Sequence, residues 1–184
     1  TMQGKSTNIN NVYIIEPKVF GDNRGYFFES FHSEKFREIV GGDPLFVQDN
    51  ESKSSKNVLR GLHFQNPPFD QGKLVRVSQG KVLDVVVDIR VKSSTYGEVL
   101  TVILDDVNHN MLWVPPGMAH GFVSLQDGTI FNYKCTDFYN PNEEGCIKWN
   151  DPSLKIDWHC IAPTISEKDN NGVAFSEFKS PFIV

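Results

Sequence analysis

The sequence predicts an all-β sandwich or barrel with a few short helices, formed as one domain over residues 1–184. Three observations predict it. Short apolar or alternating runs recur at spacings of roughly 8–15 residues. Gly, Pro, Asn and Asp fall between these runs, and helical periodicity is scarce. Strands are expected over 12–15, 25–31, 46–50, 57–64 and 73–79, then over 81–89, 98–104, 111–115, 120–125 and 130–136. SQGK at 78–81 reads as a tight hairpin turn, because Gly80 takes a positive φ without steric cost. One helix is expected over 33–40, with Ser33 as N-cap, Glu34 in the first turn and Gly41-Gly42 as its stop. A second short helix is expected to begin at Ser166.

Composition narrows the function. With 39% hydrophobic and 22% charged residues, the 184-residue chain resembles an ordinary soluble protein able to bury a full core. A net charge of -5 and the lack of a long basic run argue against a general nucleic-acid binder. A local basic cluster gripping one small anion stays possible. Cys135, Cys146 and Cys160 are too few and too scattered for a disulfide framework, and no CxxC pair suggests zinc. A reducing cytoplasm is therefore the expected compartment. No signal-peptide pattern and no apolar run of membrane-spanning length is present, so no membrane partner is expected. Thr1, ahead of Met2, reads as a residue added before the natural start.

Side-chain parity points to a polar interior. In IFNYKCT, Phe131, Tyr133 and Cys135 share one face, which turns Tyr133 inward. In KLVRVSQ, Lys73 shares its face with Val75 and Val77, and Asp84 sits between Val82 and Val86 in the next strand. Inward Lys and Asp are rare unless paired or working. Arg60 and His63 fall on opposite faces of an ideal strand, but Gly61 between them offers a bulge that re-aims one of the two.

Several polar groups on inward faces describe a polar cavity, and the chemistry they suit is proton transfer beside a carbonyl. An imidazole titrates near neutrality and serves as base. A buried ammonium stabilises an enolate oxygen, and a phenol returns a proton from another direction. A metal site is the competitor. Its signal is weak, because Gln65 stands where an HxH pair would need a second histidine, and His63 and His120 have no third ligand at a recognisable spacing. No P-loop, dinucleotide fingerprint or GxSxG elbow occurs.

FGDNRGYFFESF (20–31), FVQDNESKSSKNVLRGLHFQ (46–65), QGKLVRVSQGKVLDVVVDIR (71–90), LWVPPGMAHGFVSL (112–125), YKCTDFYNPNEEGCIKWNDP (133–152) and SEKD (166–169) together resemble the dTDP-4-dehydrorhamnose 3,5-epimerase family. The resemblance runs over nearly the whole chain. It implies a cupin-type jelly roll acting as a homodimer, with no metal and no cofactor. The implied substrate is dTDP-4-dehydro-6-deoxy-D-glucose, inverted at C3 and C5. Carried over by position, His63 is the general base, Asp169 its dyad carboxylate, Lys73 the enolate-stabilising cation and Tyr133 the general acid. The resemblance places Arg24, Glu29, Gln48, Asn50, Arg60, His120, Glu144 and Lys168 around the nucleotide sugar. Arg24 and Arg60 suit the diphosphate, and Phe138 and Tyr139 a stacked thymine. Single-carbon epimerisation, a non-catalytic nucleotide-sugar binder and a metal-dependent cupin are the alternatives.

Plainer readings stand beside these. Asp84 could anchor the core or support His63 from behind, Glu144 could be a solvated loop charge, and His120 could close the barrel mouth. His32 and His109 lie in polar segments and are expected at the surface, and His159 has no assigned role.

Overall fold

The computed structural model describes residues 2–183. Its strands are β1 (Gln3–Ser6), β2 (Tyr13–Glu16), β3 (Phe20–Asp22), β4 (Gly25–Phe27), β5 (Gln48–Ser54), β6 (Leu59–Gln65) and β7 (Lys73–Gln79). They continue with β8 (Lys81–Asp88), β9 (Val99–Asp105), β10 (Met111–Val114), β11 (Met118–Ser124), β12 (Thr129–Cys135) and β13 (Glu144–Cys146). Helices α1 (Ser33–Val40) and α2 (Glu167–Asn170) and a 3-10 turn at Phe175–Glu177 complete the described elements. The strands form a jelly-roll sandwich. One sheet runs β1-β2-β10-β7-β12-β5, the other β13-β6-β11-β8-β9, and β3-β4 is a separate hairpin.

Burial explains the strand patterns. Val75, Val77 and Phe131 of the six-stranded sheet meet Val82, Val86 and Phe122 of the five-stranded sheet in the inter-sheet core. The outer face of the five-stranded sheet is covered as well. Leu83, Val85 and Val87 pack there with Trp158 and Phe182, and the tail residues Phe175 and Phe178 lie against them. β8 is thus buried on both faces, which is why KVLDVVVD reads as a continuous apolar run. On the outer face of the six-stranded sheet, Phe36 of α1 packs with Leu74, Met111 and Trp113.

Several expectations shift. SQGK is not a hairpin, because β7 and β8 lie in different sheets. Gly80 does adopt φ 87°, and it turns the chain from one layer of the sandwich to the other. The 25–31 strand contracts to Gly25–Phe27, and the 46–50 strand moves to Gln48–Ser54, whose sequence QDNESKS is almost wholly polar. β1, β3 and β13 are three or four residues long with no apolar signal to mark them. The N-cap of α1 is His32, whose Nδ1 accepts from the Lys35 N–H at 3.4 Å, so Ser33 is the first helical residue. His109 is buried, its ring 4.7 Å from both Tyr26 and Phe28, because hairpin β3-β4 and the residues after it fold over it.

The decisive local feature lies between β6 and β11. His120 pairs with His63 and Phe122 with Arg60, so three residue steps of β6 span two of β11. This bulge turns Arg60 and His63 to the same face, while Leu59 and Leu62 share the other. Gly61 carries it with φ 139°, and a Cβ there would lie 2.6 Å from Gly121 Cα. Gly61→Ala is therefore expected to cost at least about 1–3 kcal/mol, read as a lower urea midpoint. An unchanged midpoint would contradict this account of the bulge.

Candidate active site

The site lies between the two sheets, in a cleft of about 240 Å³ lined by Arg60, His63, Lys73, His120, Tyr133 and Glu144, among others. A contiguous pocket adds Gln48, Asn50 and Tyr139. His63 and His120 come from β6 and β11 of the five-stranded sheet; Lys73 and Tyr133 come from β7 and β12 of the six-stranded sheet. An imidazole and a phenol thus face one another across the space a ligand would fill.

Each imidazole is held by a carboxylate. His63 Nε2 lies 2.7 Å from Asp169 Oδ1, and Asp169 Oδ2 accepts from the Gly61 N–H at 3.1 Å. Ser166 caps the short helix and holds it in place by accepting from the Asp169 N–H at 3.1 Å. Burial pushes the Asp169 carboxyl up, but the His63 hydrogen bond and charge and the Gly61 N–H outweigh it and leave its pKa lowered. Asp169 therefore stays ionised and accepts from Nε2–H, which leaves Nδ1 as the nitrogen with a free lone pair. His120 Nε2 lies 2.9 Å from both oxygens of Asp84. Asp84 thus supports His120, not His63. Burial raises the Asp84 pKa, against the pull of His120 and Lys73.

Lys73 and Tyr133 form the opposite wall, with the ammonium 5.7 Å from the ring centroid. Lys73 keeps some exposure to the cleft, yet burial lowers its pKa while Cys135, Glu144 and Asp84 oppose the shift. Burial likewise raises the Tyr133 pKa, with Asn50, opposite it in the β5–β12 register, pulling the other way. The phenol stays protonated at neutral pH and is a donor.

At the mouth, Glu144 Oε2 accepts from Lys168 Nζ at 2.6 Å and from Tyr139 Oη at 2.8 Å. Burial pushes Glu144 up, but these two bonds and the nearby cations leave its pKa lowered. It is a half-buried hub, not a solvated loop charge. Gln48 Oε1 accepts from the Tyr139 N–H at 3.0 Å, and Gln48 Nε2 donates to Asn50 Oδ1 at 3.2 Å. Arg60 is anchored by a bond from Nε to Ser54 Oγ, 3.2 Å, and among the described residues its other N–H groups have no hydrogen-bond partner.

The chain matches the family model for dTDP-4-dehydrorhamnose 3,5-epimerase over residues 6–177. It belongs to that family. It is 52% identical to the dTDP-4-dehydrorhamnose 3,5-epimerase of Salmonella typhimurium over 164 residues, 89% of this chain and 90% of the relative. The crystal structure of the Elizabethkingia anophelis enzyme is similar at a TM-score of 0.92 and 47% identity, covering 96% of this chain and 97% of that one. That of the dTDP-6-deoxy-D-glucose-3,5-epimerase of Legionella pneumophila, in complex with dTDP-4-keto-L-rhamnose, gives a TM-score of 0.93 and 45% identity, covering 97% and 95%.

Set against this epimerase family, two sequence-derived binding residues stand apart. Arg24 is exposed at the tip of hairpin β3-β4 and paired with Asp22 at 2.5 Å. Glu29 is exposed and bonded to Lys35 of α1 at 2.7 Å, on the outer side of the six-stranded sheet. Neither is among the residues that line its own chain's cleft. Phe138 and Tyr139 sit exposed at the rim. Three residues were given no site role from the sequence. Gln65 fastens the rim, donating from Nε2 to Phe69 O (2.7 Å) and Phe138 O (3.2 Å) and accepting from the Asn140 N–H (2.9 Å). Ser52 lines the cleft with a buried hydroxyl that has no partner among the described residues. Cys146 pairs with His63 across β13 and β6.

The lowered pKa of Asp169 sets a pH signature. Its ionised form stabilises the fold above the ordinary carboxylate pKa of about 3.9, and that contribution is lost as pH falls through the lower folded value. The stability of the native chain over Asp169→Asn, from urea melts, is expected to shrink as pH falls below about pH 4. A gap that persists undiminished at pH 3 would contradict the assignment.

Proposed function

We propose that this cleft inverts C3 and C5 of dTDP-4-dehydro-6-deoxy-D-glucose, giving dTDP-4-dehydro-L-rhamnose. The observation that carries the reading is the placement of His63 and Tyr133 on opposite sheets. Both carbons lie α to the C4 ketone, so one polarised carbonyl acidifies both. Inversion needs a proton taken from one face of the sugar and returned to the other. In this reading His63 Nδ1 takes the proton, with Asp169 fixing the ring and stabilising the imidazolium. Lys73 donates to the enolate oxygen as charge develops there. The Tyr133 phenol returns a proton from the far wall; His63 then gives up its proton and Tyr133 regains one by exchange with solvent, and repeating the cycle at the second carbon completes the reaction.

Binding follows from the same geometry. Arg60 grips the diphosphate, His120 and Asn50 contact the sugar, and the rim built by Gln48, Tyr139, Glu144 and Lys168 holds the nucleotide, with Phe138 or Tyr139 stacked on thymine. The whole chain acts as one domain and works in the cytoplasm; no described helix is long and apolar enough to cross a membrane. The active form is a homodimer. Arg24, at the tip of hairpin β3-β4, and Glu29, two residues beyond that hairpin, do not line their own cleft, and among the described strands the hairpin pairs only with itself, with Tyr26 and Phe27 60% and 67% exposed. That hairpin serves the cleft of a second copy.

Incubation with the substrate in deuterated water, read by NMR, is expected to label C3 and C5, and His63→Ala to abolish both exchanges. Label at one carbon would reduce the reaction to a single epimerisation; no label would sink it. Lys73→Met separates catalysis from packing. Its burial lowers its pKa, so the ammonium opposes folding at neutral pH and the apolar side chain removes that penalty. The variant is expected to lose about 10²–10³-fold in rate with an unchanged or raised Tm; a marked fall in Tm would make Lys73 a structural residue. Two inactive variants test the dimer. Arg24→Ala/Glu29→Ala mixed after co-refolding with His63→Ala is expected to recover about a quarter of native activity, through hybrid dimers with one intact site. No recovery would place Arg24 and Glu29 outside the partner's cleft.

A further inference from the structure

Behind the cleft, on the side of His63 away from the substrate space, lies a group the reaction does not use. Cys146 Sγ, a His63 ring nitrogen and an Asp169 carboxylate oxygen all lie within 4.8 Å of one another. The fold builds this triangle from three elements. His63 and Cys146 are register partners on β6 and β13, and α2 sets Asp169 against both. The sulfur has no strong partner among the described residues. Its neighbours are the carbonyl oxygens of Gly61 at 3.6 Å, Ile147 at 3.7 Å and Asp169 at 3.9 Å, weak acceptors for a weak S–H donor. Cys146 keeps partial solvent exposure.

We propose that His63, Cys146 and Asp169 form an inhibitory site for a thiophilic divalent cation such as Zn²⁺, with water as the fourth ligand. One imidazole, one thiolate and one carboxylate are the donor set that tetrahedral zinc takes, at about 2.0 Å to N, 2.3 Å to S and 2.0–2.2 Å to O. Ligands so placed around one ion stand about 3–4 Å apart. The His63 and Asp169 atoms, now 2.7 Å apart, open slightly, and the sulfur closes in. Hard cations such as Mg²⁺ and Ca²⁺ prefer all-oxygen shells and are poorly matched. On binding, the thiol releases its proton to solvent and its sulfur electron pair becomes the metal–sulfur bond, while the His63 proton leaves Nε2 and is taken up at Nδ1 through solvent, so that the Nε2 lone pair becomes the metal–nitrogen bond. The site differs from the cupin interior: His120, facing His63 across the sheet, is already taken by Asp84 and contributes nothing.

Inhibition follows from the tautomer, and so rests on the reading of His63 as base. With the metal on Nε2, the neutral ring carries its only proton on Nδ1, the nitrogen that must accept one from the sugar. Asp169 is drawn off as a ligand at the same time. The cation thus competes with catalysis without entering the substrate space.

The test uses the full chain, Co²⁺ as a spectroscopic probe and Zn²⁺ as inhibitor. One equivalent of Co²⁺ is expected to give tetrahedral d–d bands with a sulfur-to-metal charge-transfer band, displaced by Zn²⁺. Cys146→Ser is expected to lose the charge-transfer band and keep native epimerisation, and Cys160→Ser to change neither. Zn²⁺ is expected to stop substrate deuteration reversibly by chelator, and to do so at least about tenfold more weakly in Cys146→Ser. The absence of the thiolate band, its persistence in Cys146→Ser, or equal Zn²⁺ inhibition of both proteins would overturn the proposal. The spectra need no substrate, so they decide the metal site even if the assigned substrate is not turned over.

Discussion

The hydrogen bond between His63 and Asp169 is the contact on which the working geometry depends. It joins two segments 106 residues apart, a strand of the five-stranded sheet and a one-turn helix near the end of the chain. It also fixes which ring nitrogen holds the proton. The carboxylate is held in turn by the Gly61 N–H, the residue whose positive φ creates the bulge and brings Arg60 onto the same face as His63. One glycine therefore aims the base, orients its partner and presents the arginine. A β-sandwich provides flat walls; this local break makes one of them reactive.

The rest of the cleft applies one rule repeatedly. Each working polar group is set against a compensating charge or hydrogen bond: His120 against Asp84, Lys168 and Tyr139 against Glu144, and Lys73 within the field of Asp84 and Glu144. Buried charge costs several kcal/mol per ion when left alone, so this pairing lets a sandwich interior remain polar and still fold. Placing the imidazole on one sheet and the phenol and ammonium on the other leaves the substrate to bridge them. That arrangement is what an inversion requires.

Much of this was legible from residues alone. The alternation of side chains along β7, β8 and β12 places Lys73, Asp84 and Tyr133 on the same faces as Val75, Val82 and Phe131, which point inward in the structure. The bulge at Gly61 was readable because a cation and an imidazole three residues apart cannot share a face otherwise. What escaped depends on long-range partners. Parity says that Asp84 points inward, but not that it meets His120, because that pairing is set by the β8–β11 register. β13 is three residues of EGC with no pattern of its own, so Glu144 entered only through the family resemblance, and neither its bonds to Lys168 and Tyr139 nor the approach of Cys146 to His63 was visible. The apparent hairpin at SQGK failed for a related reason, since local turn chemistry does not say whether the chain pairs back or crosses to another sheet. His109 looked like a surface residue until the hairpin after Val19 folded over it.

The most direct test is the protonation state of one ring. Nitrogen-15 NMR of the histidines at neutral pH, with His63 assigned by its loss in His63→Ala, reads the tautomer. The account predicts a proton on Nε2 and a bare Nδ1 for His63, shifting to a mixture when Asp169 is replaced by Asn. A neutral His63 protonated on Nδ1, or a tautomer indifferent to Asp169, would contradict it.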